Sequence, residues 1–125
     1  MTGEDALFCD MLALGADGGI LASAHHRPRA FTAVFERIRA NDHEGAQALW
    51  SELEPGARLL FKEPNPLPVK HWFWRQGFLT SRECRLPMTQ VSAALAEELD
   101  ALTAIEPNVR GRDIAAGAAR FACTE

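Results

Sequence analysis

The chain has 125 residues, of which 47% are hydrophobic, and this length suits one compact domain with a substantial core. The net charge of −4, the pI near 5.6 and the lack of a basic run argue against a nucleic-acid surface. The apolar runs are far shorter than the roughly 20 residues of a membrane-spanning helix. Glu4 and Asp5 stand where a signal peptide would carry basic residues. The composition therefore predicts a cytoplasmic protein that binds neither nucleic acid nor membrane.

The cysteines and lysines limit the chemistry that the chain can perform. Cys9, Cys84 and Cys123 are odd in number, widely spaced and without a C-x-x-C pair, which favours buried thiols over a disulfide scaffold or a zinc site. Lys62 and Lys70 are the only lysines, and the chain has no tyrosine. A lysine becomes a Schiff-base nucleophile when burial lowers its pKa, although a structural ion pair is the commoner role.

The histidines and glycines do not have the spacing of a ligand site. His25, His26 and His43, with Asp42, match no common metal-ligand spacing. Residues 15–19 are rich in glycine but lack the lysine of a phosphate-binding loop, so a turn is the better interpretation. The sequence predicts no metal and no cofactor.

The first predicted elements are a helix, a turn and a strand. Residues 4–14 carry apolar side chains at helical spacing, and Gly15 is a typical residue to end such a helix. Asp17-Gly18-Gly19 predicts a turn. Residues 20–24 are mostly apolar without alternation, which predicts a short strand buried on both faces, as in parallel sheets.

Two longer helices follow. Pro28 is expected to open the first, which ends at Asn41-Asp42. The second runs from about residue 43 to residue 61. Pro55 lies inside it and predicts either a kink or a break at Glu54.

Three prolines at alternate positions, Pro64, Pro66 and Pro68, make a rigid connector between helices. Each fixes φ and removes a backbone donor, so the preceding helix must stop near Lys62. A new helix can restart at Pro68, because proline suits the first helical turn.

The remaining chain predicts two more helices. The first follows the connector and ends at Gly77, and residues 79–88 are irregular. The second begins near Ser92, a plausible N-cap, and ends at Pro107-Asn108. The tail, residues 107–125, is expected to be marginal helix or disorder. The fold class is therefore mainly α with one short buried strand, whose missing partners suggest a piece of an α/β protein.

Four sequence blocks resemble the C-terminal part of one family, that of dihydrodipicolinate synthase and N-acetylneuraminate lyase. The resemblance covers about residues 2–106, and the connector block is the most specific. The blocks are Gly3-Glu4-Asp5-Ala6-Leu7, Leu14-Gly15-Ala16-Asp17-Gly18-Gly19-Ile20, Leu60-Phe61-Lys62-Glu63-Pro64-Asn65-Pro66-Leu67-Pro68-Val69-Lys70 and Arg85-Leu86-Pro87-Met88-Thr89.

This resemblance implies the C-terminal portion of a (β/α)8 TIM barrel followed by a helical extension. Residues 1–41 would be the last βα units of the barrel, residues 42–106 the extension and residues 107–125 a divergent tail. Family members are class I aldolases that form a Schiff base between a barrel lysine and a keto acid, usually pyruvate. Their active sites lie at the C-terminal ends of the strands.

The resemblance also assigns site residues one by one. Gly3 and Ile20 match positions that line the pyruvate pocket. No residue matches the Schiff-base lysine, and the absence of tyrosine removes the family's pocket tyrosine. Ala6 replaces a glutamate of the sialic-acid lyases, and His25 replaces an asparagine common in the synthases. No catalytic residue is therefore predicted in this chain.

Two functional hypotheses follow. In the first, the chain is a truncated lyase of this family, inactive alone, whose relatives act on keto acids of the pyruvate type. In the second, it is a helical interaction module that self-associates as a homo-oligomer or complements a separately made N-terminal half, because an incomplete barrel exposes apolar surface.

Overall fold

The computed structural model describes residues 1–105, in which the predicted helices form. A 3₁₀ turn at Asp5–Leu7 precedes the first helix, so its regular part is shorter than expected. Gly15 follows it with φ at +95°, the left-handed conformation that favours glycine. None of the described helices is long and apolar enough to cross a membrane. The helices are α1 (Phe8–Ala13), α2 (Pro28–Arg39), α3 (His43–Leu59), α4 (Leu67–Arg75) and α5 (Ala93–Ile105).

The helices α2 and α3 form a hairpin that builds the first hydrophobic core. Asn41 takes φ at +59° in the turn, and the Asp42 carboxylate accepts a hydrogen bond from the Gly45 amide at 2.9 Å, which caps α3. This core includes residues from both sides of the predicted boundary at residue 41. Its buried members are Phe8, Cys9, Leu12, Phe31, Val34, Ala46, Trp50, Leu53 and Ala57.

Helix α3 continues through Pro55, so the predicted break at Glu54 is wrong. Proline inside a helix removes one backbone hydrogen bond. The turns around Pro55 are held by their apolar face instead, since Leu53 and Ala57 are buried on either side of it. Burial of such side chains contributes a few kcal/mol, which offsets the cost of one proline.

The proline connector leads into a second core between α4 and α5. Helix α4 begins at Leu67, one residue before the expected Pro68. The Glu63 carboxylate accepts from the Ser92 amide with both oxygens at 3.1 Å, while the Ser92 hydroxyl accepts from the Leu95 amide at 3.3 Å. A carboxylate at a helix N-terminus is favoured by the helix dipole. The core itself comprises Leu60, Val69, Trp72, Leu95 and Leu99.

The predicted strand over residues 20–24 was wrong. Within the described chain the extended backbone pairs only at a single parallel bridge, between Thr2 and Gly19. Ile20 is 77% exposed, and Ser23–His25 forms a 3₁₀ turn. A strand needs hydrogen-bonding partners on both sides to be buried, and the described residues supply one neighbour on one side. The prediction of a mainly helical fold is confirmed.

A buried histidine joins the two cores. The His26 ring lies edge-on to Trp72 of α4, with 5.3 Å between ring centroids, and is 2% exposed. On α3 it sits over Gly56, where an added Cβ would lie only 2.9 Å from the imidazole Cε1. Burial, and to a lesser degree the neighbouring charge of Arg27, lowers the pKa of His26 to about 4.

This depressed pKa predicts acid sensitivity. Because the folded pKa of His26 lies near 4 and an unfolded histidine titrates near 6.5, the unfolded state binds more protons between these values. The free energy of unfolding should therefore fall as the pH drops from about 6.5 to about 4, by about 3 kcal/mol. Urea unfolding at pH 7 and pH 4.5 measures this slope. A His26→Leu variant should flatten it, whereas His43→Gln, at an exposed position, should not; equal slopes in all three would contradict the assignment.

Candidate functional site

Two backbone hydrogen bonds on Thr2 bring the predicted site residues together. The Thr2 amide donates to the Gly18 carbonyl at 2.8 Å, and the Ile20 amide donates to the Thr2 carbonyl at 2.9 Å. The paired segments run parallel. Gly3 follows Thr2 and Ile20 follows Gly19, so both residues lie at the same end of the bridge. The carboxyl ends of parallel strands are where ligand sites form in barrels.

The site is an open surface in the described residues. A Cβ placed on Gly3 would meet no atom within 4 Å, and the Ile20 side chain is largely exposed. The backbone can thus be approached closely at Gly3, and Ile20 offers an apolar wall. These two residues can contribute shape and apolar contact to a small ligand, but neither supplies a nucleophile or a base.

Asp5 is a structural member of the site that the sequence analysis did not assign. Asp5 is 2% exposed, and its carboxylate accepts a hydrogen bond from the Ser23 amide at 2.6 Å. It thereby ties the segment after Thr2 to the segment after Ile20. The sequence predicts Asp5 in the first turn of a helix, where an acidic residue is already favoured by the helix dipole. The sequence pattern therefore gives no sign of its contact with Ser23.

His25 lies at the exposed end of the same segment. Its Nδ1 is 3.0 Å from the Ala22 carbonyl oxygen, and its ring is edge-on to Phe73 of α4 at 5.5 Å. A carbonyl only accepts, so Nδ1 carries the proton in this contact. These two contacts orient the imidazole between the segment that follows Ile20 and helix α4.

An open cavity of about 340 Å³ lies between the glycine turn and α2. Its wall is mainly apolar, with Asp17 and Thr32 as polar members, and neither Gly3 nor Ile20 lines it. Within residues 1–105 no group of three or more His, Cys, Asp or Glu side chains is placed to hold a metal ion. The other lining residues are Phe8, Gly18, Gly19, Leu21, Ala24, Pro28, Phe31 and Phe35.

Both lysines lie outside the site and have partners. Lys62 forms an ion pair with Glu98 of α5 at 2.5 Å. This is the structural role that the sequence analysis gives as the commoner one for a lysine. The Lys70 ammonium donates to the Glu83 carbonyl. The cysteines resolved in the described part, Cys9 and Cys84, are free thiols; Cys123 and the predicted tail lie outside it.

Comparison with known proteins gives the family. The profile of the Dihydrodipicolinate synthetase family matches residues 1–105. The chain belongs to this family. It is 41% identical over 100 residues to 4-hydroxy-tetrahydrodipicolinate synthase 2 of Clostridium acetobutylicum, covering 80% of this chain and 35% of that protein. It is 37% identical over 98 residues to the synthase of Alcanivorax borkumensis, covering 78% and 33%.

Solved structures of the family have the same fold in the matching part. Dihydrodipicolinate synthase from Aquifex aeolicus aligns with a TM-score of 0.76 and 32% identity, over 80% of this chain and 34% of that one. The chloride-inhibited enzyme of Acinetobacter baumannii, complexed with pyruvate, aligns with a TM-score of 0.74 and 31% identity, over 79% and 34%. The chain thus spans about a third of the length of these relatives, which is consistent with the predicted C-terminal portion of the barrel.

The Asp5 contact predicts a stability difference. Asp5→Ala should leave the buried Ser23 amide without its acceptor and lower the free energy of unfolding by about 1–3 kcal/mol. Asp5→Asn keeps a carbonyl oxygen and should cost less. Denaturant unfolding of both variants checks this, with Asp10→Ala, exposed on α1, as the control. A loss in Asp5→Ala no larger than that of the control would contradict a structural role for this carboxylate.

Proposed function

We propose that this chain supplies the last part of a Schiff-base aldolase of the family. Residues 1–41 provide the end of the barrel, residues 42–106 the helical extension and residues 107–125 a divergent tail. Gly3 and Ile20 form part of the wall of a keto-acid pocket. The observation that carries the proposal is the Thr2 bridge, which sets both residues side by side where two parallel segments end.

The proposed substrate is a small keto acid of the pyruvate type. The related enzyme of Acinetobacter baumannii is complexed with pyruvate, and a pocket with close backbone approach at Gly3 suits so small a molecule. A Schiff base needs a lysine with a free amine beside this wall. Lys62 and Lys70 are bonded to Glu98 and to the Glu83 carbonyl, so residues 1–125 by themselves are proposed not to perform the retro-aldol or condensation reaction.

Borohydride trapping with pyruvate tests this proposal. The chain alone should give no covalent adduct by intact mass. Mixed with the complementary portion of the Clostridium acetobutylicum relative, it should restore trapping on a lysine of that portion. Ile20→Asp should reduce this trapping about tenfold, because a carboxylate beside the keto acid's own charge costs 1 kcal/mol or more.

Leu86→Asp serves as the control, since Leu86 is 90% exposed and belongs to the extension; it should trap like the parent chain. An adduct on Lys62 or Lys70 in the chain alone would overturn the proposed inactivity. Equal trapping by Ile20→Asp and the parent chain would remove Ile20 from the pocket.

A second function, that of an interaction module, is supported by exposed apolar side chains. Met1 is 76% exposed, Leu14 82% and Ile20 77%. Exposed apolar residues, together with a bridge that has no further strand beside it in the described residues, favour association with another chain. In this proposal the chain self-associates or complements the rest of a barrel.

Size-exclusion chromatography with light scattering tests the second function. The chain should elute above its monomer mass of 13.7 kDa at micromolar concentration, or form a one-to-one complex with the complementary portion. A double variant, Leu14→Lys with Ile20→Lys, should shift the equilibrium toward monomer, because buried charge opposes association. A monomer that binds no complementary portion contradicts this function.

A further inference from the structure

Residues 70–85 carry a net positive charge in a chain whose total charge is negative. The whole chain has a net charge of −4. This stretch contains one acid, Glu83, and four basic residues, Lys70, Arg75, Arg82 and Arg85. It covers most of α4 and the irregular segment that follows it. Its cations therefore give this end of α4 a charge that attracts anions.

Arg82 is held in one orientation by two residues of α4. Its Nη1 is 3.0 Å from Nδ1 of His71, a residue that is 2% exposed. Because a guanidinium group only donates hydrogen bonds, Nδ1 is the acceptor in this contact. The Arg82 guanidinium carbon also lies 4.8 Å from the centroid of the Trp74 ring, a cation–π contact. The guanidinium is thus oriented before any ligand binds, which lowers the entropy cost of binding.

The charge of Arg82 is not matched by a carboxylate in the described part of the chain. No acidic side chain within residues 1–105 forms an ion pair with it. A guanidinium has five N–H donors, and the hydrogen bond to His71 uses one of them. The remaining donors form a rigid fork, which suits two oxygens of a carboxylate or of a phosphate.

Arg75 brings a second guanidinium group to the same tryptophan. Its guanidinium carbon is 5.8 Å from the Trp74 ring centroid, and its Nε is 2.7 Å from a carboxylate oxygen of Asp100 on α5. The same Asp100 oxygen is 3.0 Å from Nε2 of His71, so two donors already share the charge of this carboxylate. Two arginines therefore stand against one acid beside Trp74, which leaves a net positive charge there.

We propose that Arg75 and Arg82 form a binding site for an oxyanion beside the Trp74 ring. The ligand is the phosphate or the carboxylate group of a small molecule. Arg82 supplies the oriented fork, and Arg75 supplies the N–H donors that Asp100 does not use. His71 is a positioning residue, because both of its ring nitrogens are used within the protein. The proposal does not depend on the proposed function.

A nuclear magnetic resonance titration of the full chain tests the site. Sodium phosphate and sodium acetate are each compared with sodium chloride at equal ionic strength and neutral pH. At least one of these oxyanions should give saturable shifts of the Nε–H resonances of Arg75 and Arg82 and of the Trp74 indole N–H. The indoles of Trp50 and Trp72, which are 2% and 1% exposed, should not shift.

The three salts separate the possible results of this titration. Saturation by phosphate, by acetate or by both supports the site and identifies the group that it takes. Equal shifts in chloride would show general screening of charge and would overturn the proposal. Unchanged arginine resonances in both oxyanions would overturn it as well.

Three variants separate an oriented site from a general effect of charge. Arg82→Met keeps an apolar stem over Trp74 and should raise the dissociation constant about tenfold, the effect of losing one charge-assisted hydrogen bond. Arg82→Lys keeps the charge but not the fork, so it should also weaken binding several-fold. Arg39→Met is the matched control, because Arg39 lies over the ring of Phe35 at 5.7 Å and its loss removes the same charge.

The control variant Arg39→Met should bind the oxyanion like the parent chain. Parent-like binding by Arg82→Met or by Arg82→Lys would contradict an oriented site, as would an equal loss of binding in Arg39→Met. The titration of the parent chain decides the proposal even where a variant fails to fold.

Discussion

The contact of His26 with Gly56 and Trp72 is the constraint on which the arrangement of the whole described chain depends. It fixes the segment that follows Ile20 against α3 on one side and against α4 on the other. The neighbouring His25 ring against Phe73, and the direct contact of α3 with α5, join the same two regions. An imidazole in this position is stable only while it is neutral, because its charged form would be buried with little solvation.

The position of the candidate site follows from short-range polar contacts rather than from a large core. Thr2 accepts and donates one backbone hydrogen bond across the bridge, and Asp5 holds the Ser23 amide. These contacts align the segments of Gly3 and Ile20 without burying either residue. A site of this kind provides a wall with a defined shape and leaves the reacting groups to be supplied from elsewhere.

The region of α4 and α5 is organised by its charged residues as much as by its apolar ones. Glu63, the residue before the connector, caps α5, and Lys62 pairs with Glu98 on that helix. His71 and Asp100 link α4 to α5 close to the second core. The connector, the most specific mark of the family in the sequence, thus has a physical role: its fixed geometry places Glu63 at the start of a helix that is distant in sequence.

The sequence by itself determined the helices, the glycine and proline boundaries, the family and the pair Gly3 and Ile20 as site candidates. Periodicity and proline chemistry are local, so they can be read without a fold. Of the two outcomes expected at Pro55, the break at Glu54 was wrong, as was the strand at residues 20–24, because each depends on partners: packing preserves α3, and a strand needs neighbours. Asp5, His26 and His71 acquired their roles only in the tertiary structure, since a polar residue's function depends on burial and on the group that faces it across the fold.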